Sequence, residues 1–222
     1  MKPIAYIHTD FTTKFGVPRQ AGLVRELQAT IVFEPEYREA EALRGLDGFS
    51  HLWLIWEFSQ SVGKPWSPTV RPPRLGGNAR MGVFATRSPF RPNPIGLSCV
   101  ELVKVEEHTP QGPVIFVAGA DLMDGTPIYD IKPYVPYADC HPQAVGGFAQ
   151  TAPARKLQVD IPPHLLCLVP EEKREALTGV LAQDPRPSYQ QDSQRVYGFG
   201  FAGLEVHFVV TDGVARVVDI HE

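Results

Sequence analysis

Proline occurs 22 times in the 222 residues of this chain, about twice the usage of an average protein. Each proline fixes φ and removes a backbone donor, so long helices and long central strands are excluded wherever prolines fall. The chain must fold as short elements joined by turns, and its apolar runs have the matching length. IAYIH (4–8), QATIVFE (28–34), HLWLIWEF (51–58), ARMGVFAT (79–86), SCVELVKVEE (98–107) and PVIFVAGAD (113–121) are rich in β-branched and aromatic residues and read as strands. EYREAEALRGL (36–46) is expected to form a short helix, with Gly45 and Gly48 as its stops. Residues 59–78 read as a long loop, and LMDGTPIYDIKPY (122–134) as a further turn-rich stretch. Strands at this spacing predict a mainly β fold, a sandwich or a barrel, and with a single helix among them a doubly wound βαβ fold is not expected.

The C-terminal part has another character. Residues 138–156 read as a linker, with Gly146, Gly147 and Pro153. LQVDI (157–161) is a strand. Pro170, followed by Glu171 and Glu172, starts a helix that runs to about Ala182, with the acids at its positive dipole end. QDPRPSY (183–189) is a stiff loop. RVYGFGFA, LEVHFVVT and GVARVVDI form a three-stranded meander whose last turn is Asp212-Gly213. The expected domains are therefore 1–150 and 151–222, the second a small α+β unit.

Several function classes have no support. No apolar run approaches the ~20 residues of a membrane helix, and MKPIAYIHTD lacks the apolar region of a signal peptide. Cys99, Cys140 and Cys167 form no CxxC, so free thiols in a reducing cytosol are the simplest account. There is no phosphate-binding GxxxxGK[ST], no GxGxxG after a strand and no HExxH. The seven histidines are scattered, and no metal site is expected.

The charge distribution is more informative than the net charge of −4. From Ser59 to Val100 there is no Asp or Glu, while Lys64, Arg71, Arg74, Arg80, Arg87 and Arg91 all fall there. The rest of the chain carries 15 basic and 25 acidic groups. A cationic segment on an acidic chain is the footprint of a polyanion site, unless these arginines pair with acids elsewhere in the fold. Within it, ATRSPFRPNPIGLS (85–98) holds Arg87 and Arg91 on a stiff loop, which is either a functional loop or a proline-rich surface turn. Asp121, Asp124, Asp130 and Lys132 cluster shortly after. They read as an acidic metal-binding loop for hydrolysis, as acceptors for hydroxyl or amino groups of a ligand, or as turn chemistry.

PRQ (18–20), FSHLW (49–53), RPPRLGGNARMGVFATRSPFRPNPIGLS (71–98) and DGTPIYDIKPY (124–134) together closely resemble the TsaA-like tRNA threonylcarbamoyladenosine N6-methyltransferases. The resemblance spans nearly the whole chain. It implies a closed β-barrel that binds S-adenosylmethionine, a small C-terminal α+β domain that is a candidate contact for tRNA, and a cytoplasmic homodimer. It implies methylation of threonylcarbamoyladenosine in the tRNA anticodon loop. The implied cofactor contacts are Pro18, Arg19, Gln20, Ser59, Gln60, Arg87, Leu97, Asp121, Leu122, Met123 and Asp124.

An arginine suits the donor's carboxylate and an aspartate its ammonium or ribose, so Arg87 is expected to clamp the donor. Arg91 and Lys132 are the candidates for the acceptor's threonyl carboxylate, with Asn93 and Tyr134 beside them, and Asp130 is the candidate base. Trp66 and Phe90 are candidate stackers for unpaired bases. The rival readings are a non-catalytic nucleotide- or RNA-binding barrel and a metal hydrolase built on Asp121, Asp124 and Asp130.

Overall fold

The structure is a computed structural model that describes residues 1–151, 157–186, 192 and 194–222. In chain order the first half contributes β1 (Ala5–His8), β2 (Gln28–Phe33), β3 (His51–Glu57), the two-residue strands β4 (Thr69–Val70) and β5 (Met81–Gly82), β6 (Ile95–Glu106), β7 (Val114–Ala118) and β8 (Thr126–Pro133). Six of these close a barrel in the order β1-β2-β7-β6-β3-β8, every neighbour antiparallel. Closure leaves no unpaired edge strand. Alternation along β3 sends Leu52, Leu54 and Trp56 inward, where they meet Ile7, Ile31, Ile115 and Ile128. Each fully buried aliphatic of this kind contributes about 1.5–3 kcal/mol. The mainly β class and the barrel expected from the sequence are both found.

The second half holds α1 (Pro136–Asp139), β9 (Gln158–Asp160), α2 (Pro163–Leu166), α3 (Arg174–Ala182), β10 (Tyr197–Phe201), β11 (Leu204–Thr211) and β12 (Val214–His221). The meander β10-β11-β12 is antiparallel, and β9 adds to β12 in parallel. Helix α3 buries Ala176, Leu177, Val180 and Leu181 against this sheet's core. That core is not made by the C-terminal part alone. Phe11, Val24 and Leu27, from the loop between β1 and β2, are nearly fully buried in it. The Asp10 carbonyl accepts the Ala202 N–H at 2.9 Å, and the Asp10 carboxylate pairs with Lys173 at 2.7 Å.

Three sequence expectations need correction. Residues 36–46 form short 3₁₀ turns, Pro35–Tyr37, Ala40–Leu43 and Leu46–Gly48, instead of one helix. The segment has good helix formers but buries only Leu43, and an isolated helix without an apolar face to dock is marginal. Residues 79–86 hold only β5 before turning into a 3₁₀ turn, Val83–Ala85, because carbonyls there are taken by Arg91. Residues 126–133 are a strand, not a turn. Pro127 and Pro133 sit near its two ends, where a missing N–H costs little ladder. The stiff loop expected at 183–189 continues past residue 186 into residues outside the described ones, and Pro153 of the linker also lies outside them.

Candidate active site

A cleft of about 570 Å³ opens at one end of the barrel. Four segments build it. The β1–β2 loop brings Lys14, Val17, Pro18, Arg19 and Gln20. The end of β3 and its following turn bring Trp56, Glu57, Phe58, Ser59, Gln60, Ser61 and Lys64. The proline-rich loop and the start of β6 bring Thr86, Arg87, Pro89, Phe90, Arg91, Ile95, Gly96 and Leu97. The turn before β8 brings Asp121, Leu122 and Met123, and Thr126 opens β8 itself.

The floor is a hydrogen-bonded chain. Trp56 Nε1 donates to Ser98 Oγ at 3.0 Å, and Ser98 Oγ donates to Asp121 Oδ1 at 2.5 Å. The indole also meets Phe58 edge to face at 4.3 Å. Register explains how a ring this large fits: Trp56 lies directly opposite Gly96, and a Cβ on Gly96 would stand 2.2 Å from Trp56 Cε2. Burial pushes the Asp121 carboxyl above its ordinary value. The Ser98 hydrogen bond, the backbone N–H groups of Asp121 and Ala21 and the charge of Arg87 pull it partly back. The carboxylate is thus incompletely compensated and faces a cleft, which is where functional groups tend to be found.

Arg87 donates from Nη1 to Gln20 Oε1, and Arg19 donates from Nη2 to the Arg186 carbonyl at 3.1 Å, so the two loops of the cleft brace each other and the C-terminal part. Arg91 does something the sequence did not suggest. Its Nη1 donates to the carbonyls of Val83 (3.1 Å) and Thr86 (2.7 Å), and its guanidinium lies 5.7 Å from the Phe84 ring centroid. Arg91 therefore shapes the loop from within. Among the described residues, none of the six cations between 59 and 100 forms an ion pair, so this charge is not spent on acids of the fold. Trp66 and Phe90 are about half exposed, and Phe84, which the sequence reading passed over, is 73% exposed.

The fold gathers Pro18, Arg19, Gln20, Ser59, Gln60, Arg87, Arg91, Leu97, Asp121, Leu122 and Met123 around this cleft. It does not bring in the others. Asp124 Oδ1 accepts the Thr9 N–H at 3.1 Å and lies 3.1 Å from His8 Nδ1, so it ties the turn to β1 instead of lining the cleft. Asp130 and Lys132 pair with each other at 3.0 Å. They stand opposite Ile55 and Trp53, residues that alternation places on the outside of the barrel. Tyr134 packs against His51 and Trp53 at the far end of β3, with ring centroids 6.1 and 6.0 Å away. Asn93 is exposed on the loop and is not among the cleft residues. Asp121, Asp124 and Asp130 thus point to three different places, and the metal-hydrolase reading loses its site. Glu57, a cleft carboxylate that sequence reasoning missed, accepts the Tyr129 hydroxyl; burial and this neighbour push that phenol up to about 12. The alternation of HLWLIWEF around Trp56 could have separated inward from outward residues, but only a known register could place Glu57 at the rim.

Comparisons with known proteins agree with this fold. Residues 6–140 match the family described as tRNA-methyltransferase O N-terminal domain, and residues 154–222 match the TrmO C-terminal domain. The chain is 46% identical over 219 residues to the tRNA (adenine(37)-N6)-methyltransferase of Escherichia coli (strain K12), which covers 94% of this chain and 92% of that one. It is 40% identical over 229 residues to a Pseudomonas aeruginosa protein named "Putative S-adenosylmethionine-dependent methyltransferase RcsF", covering 99% and 96% of the two chains. The crystal structure of TrmO from Pseudomonas aeruginosa is similar with a TM-score of 0.80 at 34% identity, over 100% of this chain and 97% of that one.

Proposed function

This chain belongs to the tRNA-methyltransferase O family and is a tRNA adenine-N6-methyltransferase, and from that premise we propose that its donor is S-adenosylmethionine, held in the cleft, and its acceptor threonylcarbamoyladenosine beside the anticodon. The observation that carries the donor is that one cleft holds both Asp121 and Arg87, neither of them in an ion pair among the described residues. An incompletely compensated carboxylate and a guanidinium that share a cleft walled by Trp56, Phe58, Leu97 and Leu122 are complementary to an amino-acid end that carries both an ammonium and a carboxylate. When bound, the donor supplies an electrophilic methyl group on a sulfonium.

The chain's own residues supply position and proton transfer. Asp121 holds the ammonium and Arg87 the carboxylate, both already braced, so little side-chain freedom is lost on binding. Pro18, Arg19, Gln20, Ser59, Gln60, Leu97, Leu122 and Met123 are the remaining donor contacts in this reading. The acceptor N6 must release a proton, and Glu57 takes it. Asp130 faces outward and is paired to Lys132, so within one chain it is the poorer base. At saturating donor, Glu57→Gln is expected to lower kcat about 100-fold, the usual share of general-base catalysis, and Asp130→Asn less than threefold. The reverse order of the two variants would return the proton to Asp130.

Lys64, Arg71, Arg74 and Arg80, none of them paired with an acid among the described residues, with Phe84, Phe90 and Trp66 exposed nearby in the chain, suit the phosphates and splayed bases of a tRNA loop. The same reading has the enzyme act as a homodimer in the cytoplasm. Tyr137 and Val145, both about nine-tenths exposed, are the apolar surface it assigns to the second copy. Sedimentation of the full chain is expected to give twice the monomer mass, and a purely monomeric boundary at working concentrations would remove this part. The function itself is tested with labelled methyl donor and tRNA that either carries or lacks the threonylcarbamoyl group. Label is expected only on the modified tRNA; equal label on both, or none, rejects the acceptor.

A further inference from the structure

A second cluster of chemistry-bearing side chains lies far from the cleft in sequence, on the outer face of the C-terminal sheet. His207 and Asp219 are cross-strand partners on β11 and β12, and Glu205 and His221 are the next pair on the same face. Asp219 Oδ2 lies 3.0 Å from His221 Nδ1 and 3.7 Å from His207 Nδ1, while His207 Nε2 lies 3.8 Å from Glu205 Oε1. The two imidazole centroids are 5.2 Å apart. One donor atom from each of His207, Asp219 and His221 falls within 4.8 Å of the other two.

Two backbone features produce this convergence. The ladder between β11 and β12 shifts after His207, which pairs with Asp219 while Phe208 pairs with Val217. The extra residue, Val218, is a bulge. It lets Val218 and Asp219 both face out, so Asp219 and His221 join the face of His207 instead of the core face. Bulges of this kind re-aim side chains. On the third strand, Gly198 stands opposite His207, and a Cβ there would lie 2.4 Å from His207 Cδ2 and 2.7 Å from Nε2. The bare glycine is what lets the ring lie flat across β10 with a carboxylate near each nitrogen.

We propose that His207, Asp219 and His221 form a binding site for a divalent transition-metal ion of the zinc, nickel and copper class, ligated through His207 Nδ1, an Asp219 oxygen and His221 Nδ1. Imidazole with a carboxylate selects these ions over magnesium or calcium, which prefer oxygen donors alone. Glu205 Oε1 stands 3.8 Å from the far nitrogen of His207, placed to become the carboxylate partner that usually orients a metal-bound histidine. Donors at about 2.0–2.2 Å from a metal stand closer together than 4.8 Å, so rotation of the half-exposed Asp219 and His221 closes the set. Solvent completes the sphere. The ion bridges β11 and β12, and because it binds the folded sheet it raises the melting temperature.

The test uses the full chain without an affinity tag, stripped with chelator and titrated calorimetrically with Zn²⁺ in a non-coordinating buffer. One equivalent per chain is expected, together with a zinc-dependent rise in melting temperature. The double variant His207→Gln/His221→Gln should lose that equivalent while keeping the native circular dichroism, since both side chains are on the surface. Glu205→Gln should keep the stoichiometry and weaken the affinity about tenfold, as loss of an orienting partner does. No bound equivalent in the native chain, or unchanged affinity in the double variant, overturns the site.

Discussion

Asp121→Asn is expected to melt higher than the native chain at neutral pH and to lose its methyl donor. Both effects have one source. Burial raises the Asp121 pKa in the folded chain, so the folded state prefers the neutral group and the unfolded state ionises first as pH rises. The native stability contribution is complete below the unfolded value near ~4 and is lost as pH climbs through the raised folded value. The asparagine has no charge to bury, and its Oδ1 can still accept from Ser98. Its advantage should therefore be present at pH 7 and vanish below about pH 4. Against this, the proposed ammonium partner is gone. A charged hydrogen bond of about 2–3 kcal/mol corresponds to a roughly 30- to 150-fold loss of affinity for S-adenosylmethionine. Thermal melts across pH and donor titration check the two halves. A variant that binds the donor normally, or that melts lower at pH 7 than the native chain, removes Asp121 from the site.

Gly96→Ala is expected to damage the fold and the cleft together. The new Cβ would sit 2.2 Å from Cε2 and 2.4 Å from Cζ2 of Trp56. The indole has nowhere to retreat, since Nε1 is bonded to Ser98 and its edge meets Phe58. Overpacking of this kind costs about 1–3 kcal/mol, with roughly 2–4 °C of melting temperature for each kcal/mol. Donor affinity should fall as well, because the displaced ring pulls Ser98 from Asp121. Trp56→Leu in the alanine background should recover part of the stability. Strictly additive effects of the two substitutions would show that ring and glycine are not coupled.

Much of the architecture could be read directly from residue order. Runs such as HLWLIWEF alternate about a buried face, and a strand needs little more than that. EYREAEALRGL misled because propensity says nothing about whether an apolar stripe exists to dock. The cleft was legible in its charges. An acid-free segment with Arg87 on it implies an anion site from composition alone. The roles were less legible. Arg91 bonds carbonyls of its own loop, and no one-dimensional pattern distinguishes that from an arginine waiting for substrate. Asp130 and Lys132 looked like part of the site through their nearness to Asp124 in sequence, but a period of two turns them outward. The histidines looked scattered because 207 and 221 become neighbours only through a pairing register that carries a bulge, and a bulge leaves no mark in residue order.

Phe11, Val24 and Leu27 leave the barrel's own segment to finish the core beneath α3 and the meander. The loop they anchor is the one that carries Pro18, Arg19 and Gln20 to the cleft. The two sheets are therefore not interchangeable cassettes. A graft or deletion that removed the C-terminal sheet from this chain would strand three apolar anchors in water and slacken the donor's grip, so here the two halves are to be engineered as a matched pair.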